Sequence, residues 1–395
     1  MRYSSRGQVD PFIVMDVMEA ARRLEEEGRH IIHMEVGQPG TGAPRAARER
    51  LARAMEEDTL GYTVALGRPD LRAGIAALYG EWYDIDLDPA RVVITAGASG
   101  GFLLAFSALF DAGQKVGMGL PCYPSYRQIL KAMSLDVAGL RTDASSGFQP
   151  RPDQITEDLA GLILASPANP TGTMIQKPAL AELAAACAAR DVALISDEIY
   201  HGLHYEARAV SALEVTDQAY IINSFSKYFS MTGWRLGWMV VPEDHLRVVE
   251  RLAQNMFICA PHAAQIAALG ALSPKGRAEL DENRAIYAKN RMILLHGLRA
   301  AGFEHLAPAD GAFYVYADIS AFDWPAQDMA RAMLEEAGVA VTPGLDFDPE
   351  EGTRALRFSY ARSTADIEEG VARITAFMAA HAKYIVNLNL NFVSF

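Results

Sequence analysis

Short apolar runs alternate with amphipathic segments through the middle of the chain, from about residue 90 to 245. VVIT (92–95) precedes a helical pattern over 101–110, and KVGMGL (115–120) precedes another near 124–133. Next come LDVAGL (135–140), GLILASP (161–167) and the helical stretch KPALAELAAACAARD, which leads directly into VALISDEI (192–199). AYIINSF (219–225) and RLGWMVV (235–241) complete the series. Val/Ile/Leu runs without polar alternation, separated by amphipathic helices, predict strands buried on both faces. The expected class is therefore α/β: a doubly wound, mostly parallel sheet with helices on both faces.

The flanks follow another pattern. Residues 11–28 read as one helix, followed by HIIHMEVG (30–37). After about 280 come a long helical stretch (280–302), the strand pattern AFYVYADI (312–319), a helix at 325–338, the strand ALRFSYA (355–361) and a final helix. These predict a smaller α+β domain assembled from residues 1–40 and 281–395, with a large domain, 41–280, inserted between them.

At 395 residues two domains are expected, and 50% hydrophobic with 22% charged residues suits a large core. The net charge of −13 argues against nucleic acid or an anionic membrane as partner. Cys122, Cys187 and Cys259 are scattered and form no CxxC, which speaks against a disulfide frame and a zinc site and fits a reducing compartment. The opening MRYSSRGQVD lacks a basic-then-apolar signal, and no apolar run reaches transmembrane length. A cytoplasmic location without bound metal is expected. The end of the chain, KYIVNLNLNFVSF, alternates apolar residues with asparagine, as an edge strand would.

Ligands of open parallel sheets bind beyond the carboxyl ends of the strands, so residues at those ends are the candidates. Asn169 follows GLILASP; it is either a turn former or an amide aimed into a cleft. Asp197 leaves VALIS and either caps the next segment or is a buried carboxylate in need of a partner, with Tyr200 three residues on. Gly97, Ala98 and Ser99 open a helix after VVIT, where free backbone N–H groups can hold an anion, although Gly/Ser turns are common. Ser224, Ser226, Lys227 and Arg235 lie in SFSKYFSMTGWRLGW. Between Asp217 and Glu243 the two cations have no carboxylate near them in sequence. Together these residues describe a pocket for a phosphorylated, nitrogen-containing cofactor that a lysine can bond covalently.

SFSKYFSMTGWRLGW resembles the lysine segment of the class I/II aminotransferases, fold type I enzymes dependent on pyridoxal 5′-phosphate (PLP). GYTVALGRPDLR, ITAGASGG, PCYPSY, SPANPTG, SDEIY, GAFYVYADI, VTPG and LRFSYA are similar to further segments of that family and occur in its order, over roughly residues 11 to 380. The resemblance implies that Lys227 holds PLP as a Schiff base and moves the proton between substrate and cofactor. It implies that Asp197 pairs with the pyridine nitrogen, that Asn169 and Tyr200 hydrogen-bond the phenolic oxygen, and that Tyr123 stacks on the ring. Arg235, Ser224 and the backbone at Gly97, Ala98 and Ser99 would hold the phosphate, joined by Tyr62 of a neighbouring subunit in a homodimer. Arg357 would grip the substrate α-carboxylate beside the Gly37 backbone.

The implied activity is ping-pong transfer of an amino group from an L-amino acid to a 2-oxo acid. A PLP-dependent carbon–sulfur β-lyase shares nearly all of these contacts. A non-catalytic regulator that binds PLP or an amino acid is the reading from another class; the roughly ten residues before the first family-like element, the acidic charge and the presence of Lys227 and Asp197 count against it. The family often carries an acidic residue after Gly37 and an Asp-Phe pair after the proline; this chain has Gln38, Gly40 and Thr41. That departure bears on the substrate. A dicarboxylate would need a second cation in the side-chain pocket, expected from the partner subunit, for which Arg45 and Arg68 are candidates; a neutral or hydrophobic donor with 2-oxoglutarate or pyruvate as acceptor is favoured.

Overall fold

The computed structural model describes residues 2–381; the alternating C-terminal stretch lies outside the described residues. The chain opens with α1 (Ile13–Glu26), β1 (Ile32–His33), α2 (Arg45–Glu57) and α3 (Pro69–Tyr83). The central part runs β2 (Val92–Thr95), α4 (Gly97–Leu109), β3 (Lys115–Leu120), α5 (Pro124–Ala132), β4 (Asp136–Arg141), β5 (Leu159–Ala165), α6 (Lys177–Ala188), β6 (Ala193–Asp197), β7 (Tyr220–Ser224) and β8 (Gly237–Val240). There follow α7 (Leu246–Met256), α8 (His262–Leu272), α9 (Pro274–Ala300), β9 (His305–Leu306), β10 (Tyr314–Asp318), α10 (Ala326–Ala332), β11 (Val339–Ala340), β12 (Thr342–Pro343), β13 (Ala355–Ser359) and α11 (Thr364–Ala380).

The central strands form one seven-stranded sheet in the order β2-β8-β7-β6-β5-β3-β4. All neighbours are parallel except β8, which runs against both β2 and β7. Successive residues of each strand feed opposite faces, as the strand period requires. Leu162, Leu164, Ile221 and Trp238 enter one core, whereas Ile163, Ile195, Ile222 and Met239 enter the other. Burial on both faces explains why these runs carry no polar alternation.

The chain ends meet in two further sheets. β1 pairs with β11, and β12-β13-β10-β9 form an antiparallel sheet. The first core continues into this part through Phe313, Tyr314 and Leu356. One expectation shifts. The helix expected from 101 begins at Gly97, so the Gly/Ser turn is itself the first helical turn. Of HIIHMEVG only Ile32 and His33 form a strand, because their partner is the two-residue β11.

The register sets one edge of the large sheet. Ala165 lies opposite Asp197, and Asp197 opposite Ile222, two residues before the end of β7. Gly237 lies opposite both Thr95 and Ser224. The carboxyl ends of β2, β5, β6 and β7 therefore open on the same side.

Candidate active site

A cavity of about 220 Å³ lies at that edge, between the large sheet and α1 and β13. Asn169, Asp197, Tyr200, Ser224, Lys227, Arg235, Tyr123, Gly37, Arg357, Ala98 and Ser99 all line it.

Lys227 Nζ donates to the Gly37 carbonyl at 2.6 Å and lies 5.5 Å from the centroid of the Tyr200 ring. Burial, reinforced by the Arg357 guanidinium and partly opposed by Asp197, lowers its pKa to about 8. That is the condition a lysine needs to attack a carbonyl carbon or carry a proton near neutral pH. Asp197, at the end of β6, accepts from the Tyr126 hydroxyl and from the Ile199 N–H at 3.1 Å. Burial raises its carboxyl to about 6, with Tyr126, the Ile199 amide and Lys227 pulling it down. A cationic partner within reach would restore its charge.

Across the cleft, α4 begins at Gly97, so the first-turn amides of Gly97, Ala98 and Ser99 have no intrahelical acceptor. Gly97 adopts a positive φ of 70°, and a Cβ there would collide with the Arg235 guanidinium. Gly237 is as restricted: a Cβ would lie 2.9 Å from the Gly97 carbonyl carbon and 3.0 Å from Ala98 N. Only glycine lets β8 pass behind the helix start. Ser224 Oγ is within 2.8 Å of Ser226 Oγ, and Arg235 Nη1 donates to the Thr232 carbonyl at 2.9 Å. One guanidinium, two hydroxyls and free helix N-terminal amides are the donor set of a phosphate site.

On the other side of Lys227, Arg357 is 3% exposed and lies between the Tyr314 and Phe347 rings, 4.4 and 4.7 Å from their centroids. It donates to Asn169 Oδ1 at 2.9 Å, to Thr342 at 3.3 Å and to the Glu35 carbonyl. Its Nε is buried with no acceptor, so the guanidinium retains bonding capacity. Tyr200 and Tyr314 share a hydroxyl–hydroxyl bond of 2.7 Å. Among the described residues, none pairs as an ion with Lys227, Arg235 or Arg357.

The arrangement fits PLP by its chemistry: an anion cradle at one end, a buried carboxylate at another, and a lysine of lowered pKa between them. Of the residues implied to touch the cofactor, Tyr62 lies away from this cleft; it is 82% exposed, in a loop where the Gly61 carbonyl accepts from His262. Neither proposed second cation faces the cleft. Arg45 pairs with Glu49 on the surface of α2, and Arg68 with Asp70.

Three features were missed in the sequence. Tyr126, the donor to Asp197, was quoted only as part of PCYPSY. Gly237 stood in plain view in RLGW, but nothing in a lone glycine announces a neighbouring helix. Phe12, Val14, Met15 and Met18 line the cleft from α1; a cluster of large apolar residues at a helix start was the available signal.

The comparisons with known proteins agree with this geometry. Residues 29–374 match the model of the family "Aminotransferase class I and II". The chain belongs to this family, and it is a PLP-dependent aminotransferase of fold type I. It is 46% identical over 382 residues to the valine–pyruvate aminotransferase of Mycobacterium tuberculosis, covering 95% of this chain and 98% of that protein. The crystal structure of an aminotransferase from M. tuberculosis superposes with a TM-score of 0.94 at 46% identity, covering 96% of this chain and 100% of that one. A crystal structure from Silicibacter pomeroyi is 62% identical with a TM-score of 0.92, at the same coverage.

Proposed function

We propose that the enzyme moves the amino group of a neutral, apolar L-amino acid to a 2-oxo acid such as pyruvate, in a ping-pong cycle. The observation that carries this reading is the composition of the cleft. Its α1 side is apolar (Phe12, Val14, Met15, Met18), and among the described residues its cations are Lys227, Arg235 and Arg357. Each of these has work to do on cofactor or α-carboxylate, which leaves none within the chain for a second substrate carboxylate. The name of the 46%-identical relative, valine–pyruvate aminotransferase, supports the same substrate class.

PLP, when bound, supplies a covalent link for the amino group and a sink for the electrons released at Cα. In this reading Lys227 would hold the cofactor, and its amine would move the proton at the substrate Cα. Asp197 holds a proton on the pyridine nitrogen, supported by Tyr126. Asn169 and Tyr200 bond the phenolic oxygen, and Tyr123 covers the ring. The α4 amides of Gly97, Ala98 and Ser99, with Ser224 and Arg235, hold the phosphate. Arg357 and the Gly37 backbone orient the substrate carboxylate so that the Cα–H faces Lys227.

The same reading divides the chain into a cofactor domain (41–280) and a small domain (1–40 and 281–395). It makes the enzyme a cytoplasmic homodimer in which Tyr62 reaches the partner's phosphate site. The exposure of Tyr62 and Val64, at 82% and 60%, supports an interface there. No helix among the described residues is long and apolar enough to cross a membrane.

A donor panel with the holoenzyme tests the substrate class. Valine and other apolar donors are expected to exceed aspartate and glutamate in kcat/KM by about 100-fold or more, the cost of leaving a carboxylate unpaired in an apolar site. A preference for aspartate would refute the reading. Arg357→Lys is expected to raise KM for amino and oxo acids by about tenfold with a smaller change in kcat, because the two-point grip is lost. An unchanged KM would place the carboxylate on another residue.

A further inference from the structure

α1 brings the apolar wall to the cleft, yet little of the helix is anchored. Of its 14 residues only Val14 and Ala21 are buried. Val17, Ala21 and Leu24 pack in a small cluster with Ile31, Leu334 and Ala340. Of the residues that face the cleft, Val14 is buried and Phe12 meets the Tyr123 ring edge-on at 6.0 Å, but none of Phe12, Val14, Met15 and Met18 belongs to that cluster. The helix also lacks a cap of its own, since Phe12 at the N-cap position offers no side-chain acceptor.

Asp346 supplies the missing cap from the far end of the chain. Its Oδ1 accepts from Ile13 N at 3.1 Å and its Oδ2 from Val14 N at 3.2 Å. An acidic group at a helix N-terminus is also favoured by the helix dipole. The residue is 2% exposed and is itself fixed in place. Arg127 of α5 donates to the carbonyls of Asp346 at 2.9 Å and Phe347 at 3.1 Å, and Cys122 N donates to the latter at 3.1 Å. Phe347 in turn lies against Arg357. One buried carboxylate thus links the apolar wall, the large-domain helix α5 and the neighbourhood of the carboxylate-binding arginine. A further polar tie of this segment, Asp10 to Gln128 and Lys131, is exposed and therefore weak.

We propose that Asp346 is a positioning residue that sets the enzyme's selectivity for apolar amino donors, by capping α1 from about 330 positions away and holding its wall against the substrate side chain. This rests on the substrate class proposed above. Arg357 fixes the α-carboxylate end of every donor alike, so a displaced wall penalises a donor in proportion to the apolar side chain it presents.

The test is Asp346→Asn in the holoenzyme, a change that keeps the size and one acceptor oxygen but not the charge. Donor half-reactions with valine and with alanine are followed by absorbance, and amide exchange is followed over residues 13–18. The apparent Kd for valine is expected to rise about tenfold, with the maximal rate and the Kd for alanine within about twofold, and exchange at 13–18 to quicken about tenfold. Faster exchange with an unchanged valine-to-alanine ratio would overturn the proposal and leave Asp346 a purely structural cap. Unchanged exchange would overturn the cap itself. If the Asn variant does not fold, Asp346→Ser, which retains one acceptor, is expected to shift the ratio in the same direction, and no shift would be equally fatal. A wild-type enzyme that rejects apolar donors would instead refute the substrate class.

Discussion

Lys227→Ala is expected to lower amino-group transfer by on the order of 10⁴-fold, with PLP still bound through its phosphate site. Among the described residues no other lysine lines the cleft, and none of them can replace the amine at that place. The surroundings of Lys227 also tune it: burial and the Arg357 guanidinium hold its pKa to about 8, near enough to neutrality for uncharged amine to be available. Borohydride reduction of the wild-type holoenzyme followed by peptide mapping should place the cofactor on the segment containing Lys227 and leave the variant unlabelled. Turnover near that of wild type, or a label on another lysine, would remove Lys227 from the mechanism.

Asp197→Asn is the second large effect. The amide fills the same space and can still meet Tyr126, but it has no charge with which to keep a proton on the pyridine nitrogen. A loss of on the order of 10³-fold in kcat is expected, with a much smaller change in KM, because the missing interaction strengthens as charge develops at Cα. The carboxyl is raised to about 6 by burial, so the protein holds it there at a cost in stability. The sign follows: a carboxyl raised above its unfolded value destabilises the protein, without cofactor, as pH climbs from about 4 to about 6. The Asn variant should lose that part of the pH dependence. Retention of both kcat and the pH dependence would contradict the role assigned to Asp197.

The large sheet was legible because β5, β6, β7 and β8 are buried on both faces, and such strands announce themselves as unbroken apolar runs. The catalytic candidates were legible for a related reason: Asn169, Asp197 and Ser224 stand where those runs stop. What escaped depends on partners far away in sequence. Glycine is a poor helix former, so Gly97 to Gly101 read as a turn, although tertiary packing makes that stretch the first turns of α4. Tyr126 reaches Asp197 across 71 positions, and Asp346 caps α1 across more than 330. Arg45 and Arg68 each pair with a carboxylate within a few residues, a local pairing the sequence did show, and any part they play in a partner's cleft would involve a second copy of the chain. The same holds for Tyr62, since its proposed partner is on a second copy of the chain.

The central claim is transamination of an apolar donor through Lys227, and the absorption spectrum of the holoenzyme tests it most directly. Valine added alone should bleach the visible band of the lysine-bound cofactor, and pyruvate added afterwards should restore it, with alanine and the 2-oxo acid of valine formed in equal amounts. A band that valine leaves unchanged, or that fades with release of ammonia and no recovery on adding pyruvate, would contradict the account.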